Sequence, residues 1–258
     1  MAQHEQLTFI LPGELDRGKL KAIYDEFYPV YDEILNAVCR EVRNLLEAHG
    51  RVPSIKYRVK RFDAYFDKLI KMSRRDQSGP VAAITDILGL RIICPFLEDL
   101  EVIEDLIKKH FNVVELDHKG ARHSASEFGY DSVHLLIKID PVYRKQELPH
   151  TSDVCEVQLR TILQDAWAEV EHELIYKTDI TLPIESVRRK LAALNATLTL
   201  SDLIFQELRD YQKDIREQDR KRRQSLEAKL AAAPNIDKDL QTPPEKDQPA
   251  MDDALDLT

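Results

Sequence analysis

The chain has 258 residues, 43% hydrophobic and 32% charged, with a formal net charge of −9. That length can bury a full core as one large domain with or without appendages, and the acidic balance argues against a surface built throughout for nucleic acid. No apolar run reaches the roughly 18–20 residues of a membrane span, no secretory leader is expected from a start that lacks a basic region, and Cys39, Cys94 and Cys155 lie far apart among apolar neighbours, which predicts buried, reduced thiols in a cytoplasmic protein.

Over residues 18–49 the apolar positions Leu20, Ile23, Tyr24, Phe27, Tyr31, Ile34, Val38, Val42 and Leu45 have helical spacing. Pro29 is expected to kink or divide this helix, and Gly50 to stop it. Residues 58–72 read as a second, very basic helix or helix start that buries Phe62, Tyr65, Phe66 and Leu69, followed by a loop over 73–80. Three short β-branched-rich runs, 89–96, 132–139 and 154–160, have strand character; a helix near 97–110 and a short strand over 113–117 separate the first two.

Residues 162–177 return to helix and are expected to bury Ile162, Ala166, Val170 and Leu174. A longer helical region follows, with Val187, Leu191, Leu194, Leu198, Phe205, Leu208, Tyr211 and Ile215 as an apolar stripe for docking on the core or for subunit packing. From residue 232 onward, seven acids face Lys238 and Lys246 in a proline-rich segment with almost no large apolar side chains. Such a segment cannot offset its ordering entropy, so disorder is expected. The class is α/β (α+β), a mixed sheet flanked by helices. The expected organisation is a domain over 1–180, a helical region over 181–231 and the acidic tail over 232–258.

Each of the three strands carries a polar constellation. In DILGLR, Asp86 precedes a glycine turn into a strand whose Leu90, Ile92 and Cys94 face one way and Arg91 the other. An aspartate so placed suits a hard cation such as Mg2+; equally, Asp86 can cap local backbone and Arg91 can pair with a neighbouring acid. In GYDSVH, Val133, Leu135, Ile137 and Ile139 alternate toward the core, which puts Ser132 and His134 on the opposite face. Tyr130 stands at that strand's entrance, where its ring can stack on a base, and His134 can donate to phosphate or sugar oxygens. In CEVQLR, Glu156, Gln158 and Arg160 share a face while Cys155, Val157 and Leu159 go to the core. Polar side chains on a buried-type strand need partners, which a metal, a substrate or a Glu–Arg pair can supply. Upstream, residues 56–61 (KYRVKR) set cations beside an aromatic; such a cluster suits a solvated helix face or, next to paired carboxylates, a triphosphate site.

DILGLR (86–91), GYDSVH (129–134) and EVQLRT (156–161), in this order, resemble the synthetase domain of the RelA/SpoT alarmone synthetases. The segment WAEVEHELIYK (167–177) is similar to the helix after that family's third strand, and Arg58-Val59-Lys60 to its Arg-Ile-Lys motif. The resemblance covers about residues 56–177. It implies a nucleotidyltransferase-like fold and a reaction that passes the β,γ-diphosphate of ATP to the 3′-hydroxyl of GDP or GTP. Under it, Asp86 and Glu156 hold Mg2+, and Glu156 takes the hydroxyl proton. Arg58 and Arg91 sandwich the adenine, and Lys60 meets the phosphates. Tyr130 stacks on the acceptor base with His134 and Gln158 in support. A homo-oligomer, most often a tetramer, is also implied.

Arg61, Phe128 and Asp131 depart from the family pattern near the phosphate and acceptor regions, so acceptor preference stays open. The chain lacks a His-Asp dipeptide and resembles the small, stand-alone branch, which is not expected to degrade its product. Two alternatives are kept: the same chemistry on an adenine nucleotide or a tRNA 3′-CCA end, and a nucleotide-binding regulator without catalysis. A metalloprotease reading of His172-Glu173 fails, because position 176 is tyrosine.

Overall fold

The computed structural model describes residues 16–75, 84–119, 132–143, 153–171, 173–174 and 184–232. Helix α1 (Arg17–Ala48) leads into strand β1 (Ser54–Val59) and helix α2 (Phe62–Arg75). Strand β2 (Leu88–Cys94), helix α3 (Leu97–His110) and strands β3 (Val113–Lys119) and β4 (Ser132–Lys138) follow. Strand β5 (Val154–Thr161), helix α4 (Ile162–Glu171) and helix α5 (Ile184–Ala232) complete the order. The chain divides into two units, 1–208 and 209–258, and α5 contributes residues to both.

The five strands form one mixed sheet in the order β1-β2-β5-β4-β3, in which only β2 and β5 run parallel. One face is sealed. Leu90, Ile92, Cys94, Leu135, Ile137, Cys155, Val157 and Leu159 all point into a core shared with Leu35, Val38 and Val42 of α1 and Ile103 and Ile107 of α3. The alternation expected for β2, β4 and β5 is therefore present. Cys39, Cys94 and Cys155 are free and buried, and burial pushes the Cys94 thiol up to about 12. Among the described residues, no helix is long and apolar enough to cross a membrane.

Helix α1 runs through Pro29 without division. Proline removes one backbone bond, but Tyr24 and Phe27 before it and Tyr31 and Ile34 after it are all buried, so packing holds both halves in one helix. The helix stops where expected. Gly50 takes φ 67°, its N–H reaches Glu47 O at 2.9 Å, and the Arg51 N–H reaches Leu46 O at 2.8 Å, which is a Schellman closure.

Three expectations are corrected. Residues 58 and 59 belong to strand β1, and the second helix starts only at Phe62. The alternating Ile55, Tyr57 and Val59 pair antiparallel with β2, and that pairing overrides the basic run's helical look. Residues 73–75 end α2; the rest of the expected loop lies outside the described residues. Helix α4 turns the other way from its apolar stripe: Ile162, Ala166 and Val170 are exposed, as is Leu174 beyond it, while Gln164, Asp165 and Trp167 are buried. Its inward face serves polar partners: Gln164 accepts from the Thr161 N–H at 2.8 Å, and the Gln164 N–H donates to Thr161 Oγ1 at 3.1 Å. Of the stripe on α5, Leu191 is buried, whereas Leu194, Phe205, Leu208, Tyr211 and Ile215 are exposed. Instead, Thr161 Oγ1 donates to the buried Asp202 of α5 at 2.6 Å. The acidic tail beyond Ala232 lies outside the described residues.

Candidate active site

The unsealed face is organised by strand register. Lys56 pairs with Arg91, Arg91 with Gln158, Gln158 with His134 and His134 with Asp117, so five polar residues from five strands lie in one cross-strand row. The adjacent row brings Arg58 to Gly89 and Gly89 to Glu156. Paired residues share a face of the sheet. Alternation predicted which side chains leave the core; register decides which of them meet.

Glu156 is held at both oxygens. His134 Nδ1 lies 3.0 Å from Oε1, and Gln158 Nε2 donates to Oε2 at 2.9 Å. A carboxylate can only accept, so His134 Nδ1 carries the proton toward it. Its Nε2 sits 3.0 Å from Ser132 Oγ. The Gln158 amide has a forced orientation as well, since its Oε1 accepts from Arg91 Nε at 3.3 Å and arginine can only donate. Burial alone would raise the Glu156 carboxyl, and the nearby Asp86 charge also raises it. The hydrogen bond and charge of His134, with help from Gln158, outweigh both and hold it below the usual carboxylate range.

Asp86 lies two residues before β2, where Lys60 Nζ and Lys68 Nζ reach its Oδ2 at 3.0 and 2.8 Å. Burial pushes this carboxyl up, but the two lysines win and lower it. Its other oxygen, Oδ1, is buried without a hydrogen-bond partner. A buried, unshared carboxylate oxygen beside a second ionised carboxylate is a donor set for a hard divalent cation whose remaining ligands come from phosphates and water. Among the described residues no group of three or more His, Cys, Asp and Glu side chains could form a protein-only cage. Asp86 and Glu156 would fit a hard divalent cation such as Mg2+ whose other ligands come from outside the chain.

A pocket of about 130 Å³ opens on this face, lined among others by Arg58, Gly89, Arg91, Gln158 and Glu169. A Cβ at Gly89 would meet the Arg58 carbonyl oxygen at 3.6 Å, ordinary contact; any longer side chain there would fill the floor between Arg58 and Glu156. Tyr130, assigned to the acceptor base from its motif, lies outside the described residues, as do Phe128 and Asp131.

The sequence reading missed three groups. Lys68 was hidden in a basic run that gave no reason to single it out. Asp165 and Glu169 were hidden by the α4 apolar stripe, which directed attention to the other side of that helix. Arg91 pairs with both acids, the neighbouring-acid arrangement left open from sequence.

Residues 57–181 match the family model described as a region found in RelA / SpoT proteins. The GTP pyrophosphokinase YjbM of Bacillus subtilis is 30% identical over 186 residues, 69% of this chain and 82% of that protein. The chain belongs to the RelA/SpoT family. Another relative, the GTP pyrophosphokinase YwaC of the same organism, is 31% identical over 141 residues, and the match spans 54% of this chain and 66% of that one. In fold, the chain matches the small alarmone synthetase 1 from Bacillus subtilis with a TM-score of 0.59 at 23% identity, covering 74% of this chain and 98% of the other. A second structure of that synthetase, bound to its product pppGpp, gives a TM-score of 0.57 at 25% identity, with 74% and 98% covered. The mixed sheet with flanking helices is the RelA/SpoT synthetase architecture.

Proposed function

We propose that this RelA/SpoT protein moves the β,γ-diphosphate of ATP to the 3′-hydroxyl of GDP or GTP, making (p)ppGpp and releasing AMP. The observation that carries this reading is the pair of adjacent cross-strand rows, which set Arg58, Gly89 and Glu156 beside Arg91, Gln158 and His134. Support comes from the relatives named GTP pyrophosphokinase and from the product-bound synthetase at 25% identity.

Arg58 and Arg91 line one pocket and take the adenine between their planar guanidinium groups. Lys60 and Lys68, already gathered on Asp86, meet the negative charge of the triphosphate. Glu156 accepts the proton of the attacking 3′-hydroxyl. It is ionised, and His134 and Gln158 fix its plane, so no reorientation is needed as the oxygen attacks. Tyr130, His134 and Gln158 belong to the acceptor side, with Tyr130 stacking on the base. Mg2+ held by Asp86 and Glu156 would neutralise charge on the transferred group. Homo-oligomerisation, with a tetramer as the expected state, accounts for the exposed Leu194, Phe205 and Leu208 of α5; light scattering of the intact chain at micromolar concentration reads it directly.

The test supplies γ-labelled ATP and Mg2+ with GDP, GTP, ADP or tRNA in separate reactions. Label in the guanine nucleotide supports the proposal. Label in ADP or tRNA alone replaces the acceptor, and label in none of them favours a regulator that binds nucleotide without transfer.

A further inference from the structure

Arg91 is the most heavily partnered cation of the site. Its Nη1 donates to Asp165 Oδ1 at 2.7 Å and to Glu169 Oε1 at 2.6 Å, while Nε reaches Gln158 at 3.3 Å. The acceptors engage Nη1 and Nε, and guanidinium N–H groups lie in the plane of the group, so it is held at its perimeter and its faces stay clear of these hydrogen bonds. Arg91 also lines the pocket together with Arg58 and Glu169.

The two acids are four residues apart on α4, on the face where the helix approaches β2 and β5. They are unequal. The Asp165 side chain is 8% exposed and that of Glu169 61%. Lys56 Nζ also donates to Asp165, at 2.8 Å, and Arg160 Nη1 stands 3.9 Å away. One buried carboxylate therefore balances three cations of the sheet face. Burial raises its carboxyl, but Lys56 and Arg91 more than reverse this and hold it low.

We propose that Asp165 is a positioning residue for the donor site: it fixes the guanidinium of Arg91 edge-on, so that the group presents its face to the purine of ATP, and Glu169 assists from the rim. The reason is entropic and geometric. A free arginine side chain loses rotamer entropy when it is immobilised against a ligand; one already held by a buried carboxylate loses little on binding. Pairing consumes N–H donors along the edge, whereas stacking on a base uses the face, so both can occur together. This inference rests on the proposed ATP-binding role of Arg58 and Arg91.

The test is a double-mutant cycle on the intact enzyme, read as separate KM values for ATP and acceptor. Asp165→Asn should raise the KM for ATP about tenfold, with kcat and the acceptor KM within about twofold. Glu169→Gln, at an exposed position that cannot endanger the fold, should raise the KM for ATP about twofold to threefold. Asp165→Glu should recover part of the loss, since a carboxylate is restored. In an Arg91→Ala background, Asp165→Asn and Glu169→Gln should add no further loss, because they act through Arg91. Losses that persist unchanged in that background, or an Asp165→Asn variant with a wild-type KM for ATP, would overturn the proposal. If Asp165→Asn does not fold, Glu169→Gln with and without Arg91→Ala decides by the same criterion. A wild-type protein that neither binds nor uses ATP overturns the donor-site reading itself, a result distinct from either of these.

Discussion

The two faces of the β2–β5–β4 sheet are built from the same strands by the same alternation, yet they are held by different forces. On one face Leu90, Val157 and Leu135 align in the sealed core, where stability comes from apolar area removed from water. On the other, Arg91, Gln158 and His134 align, and hydrogen bonds link each of them to another group of the site. The first arrangement tolerates any side chain of similar shape. The second depends on donor and acceptor identity at each position, as the forced orientation of the Gln158 amide shows. Such a face contributes little net stability, since pairing mainly offsets desolvation, but it holds the Glu156 carboxylate in one orientation.

Breaking each face separately should therefore give opposite outcomes. Glu156→Gln removes the ionised carboxylate while keeping its shape, and kcat should fall about a thousandfold or more, with a smaller loss of urea midpoint than a core truncation causes. Near-wild-type turnover at saturating Mg2+ would remove Glu156 from the catalytic role. On the opposite face, Leu159→Ala should lower stability by about 2–5 kcal/mol in urea denaturation. Its kcat measured well below the melting temperature should stay within about threefold of wild type. An inactive but stable Leu159→Ala would show that the two faces are not separable.

The smallest effect concerns pH. Asp86, Glu156 and Asp165 all have carboxyls held below the usual range in the folded protein. A depressed folded-state pKa gives stability that is present above the unfolded carboxylate range, about pH 4, and is lost as pH falls through the folded value. The urea midpoint of the wild type should hold from pH 7 to about pH 5 and then decline. Asp165→Asn should show a shallower decline over the same interval, while Leu159→Ala should run parallel to wild type. A wild-type midpoint that rises on acidification would contradict the assignment of the ion pairs.

How far these faces were legible follows from the same contrast. Period-two alternation is a local property, so Leu135, Val157 and Leu159 could be placed in the core, and Glu156 and Gln158 opposite them, from sequence alone. Register is not local. Nothing in the strands' own residues says that Lys56 meets Arg91 or that Gly89 meets Glu156, although the family resemblance already implied one site for Arg91 and Glu156. Residues 58 and 59 were misread because six residues of strand in a basic run look like the start of a helix until the antiparallel partner is known. Helix α4 was misread for the opposite reason. Its strongest apolar stripe, Ile162, Ala166 and Val170, is real but faces outward, and the face that packs carries Gln164, Asp165 and Trp167.

The product balance by phosphorus NMR with ATP, Mg2+ and GDP tests most directly whether this site transfers a pyrophosphoryl group. Pyrophosphoryl transfer should give AMP and a guanosine bearing a new 3′-diphosphate in equal amounts, with neither ADP nor free pyrophosphate accumulating. ADP with a singly phosphorylated 3′-oxygen, or AMP with free pyrophosphate and unchanged GDP, would contradict it.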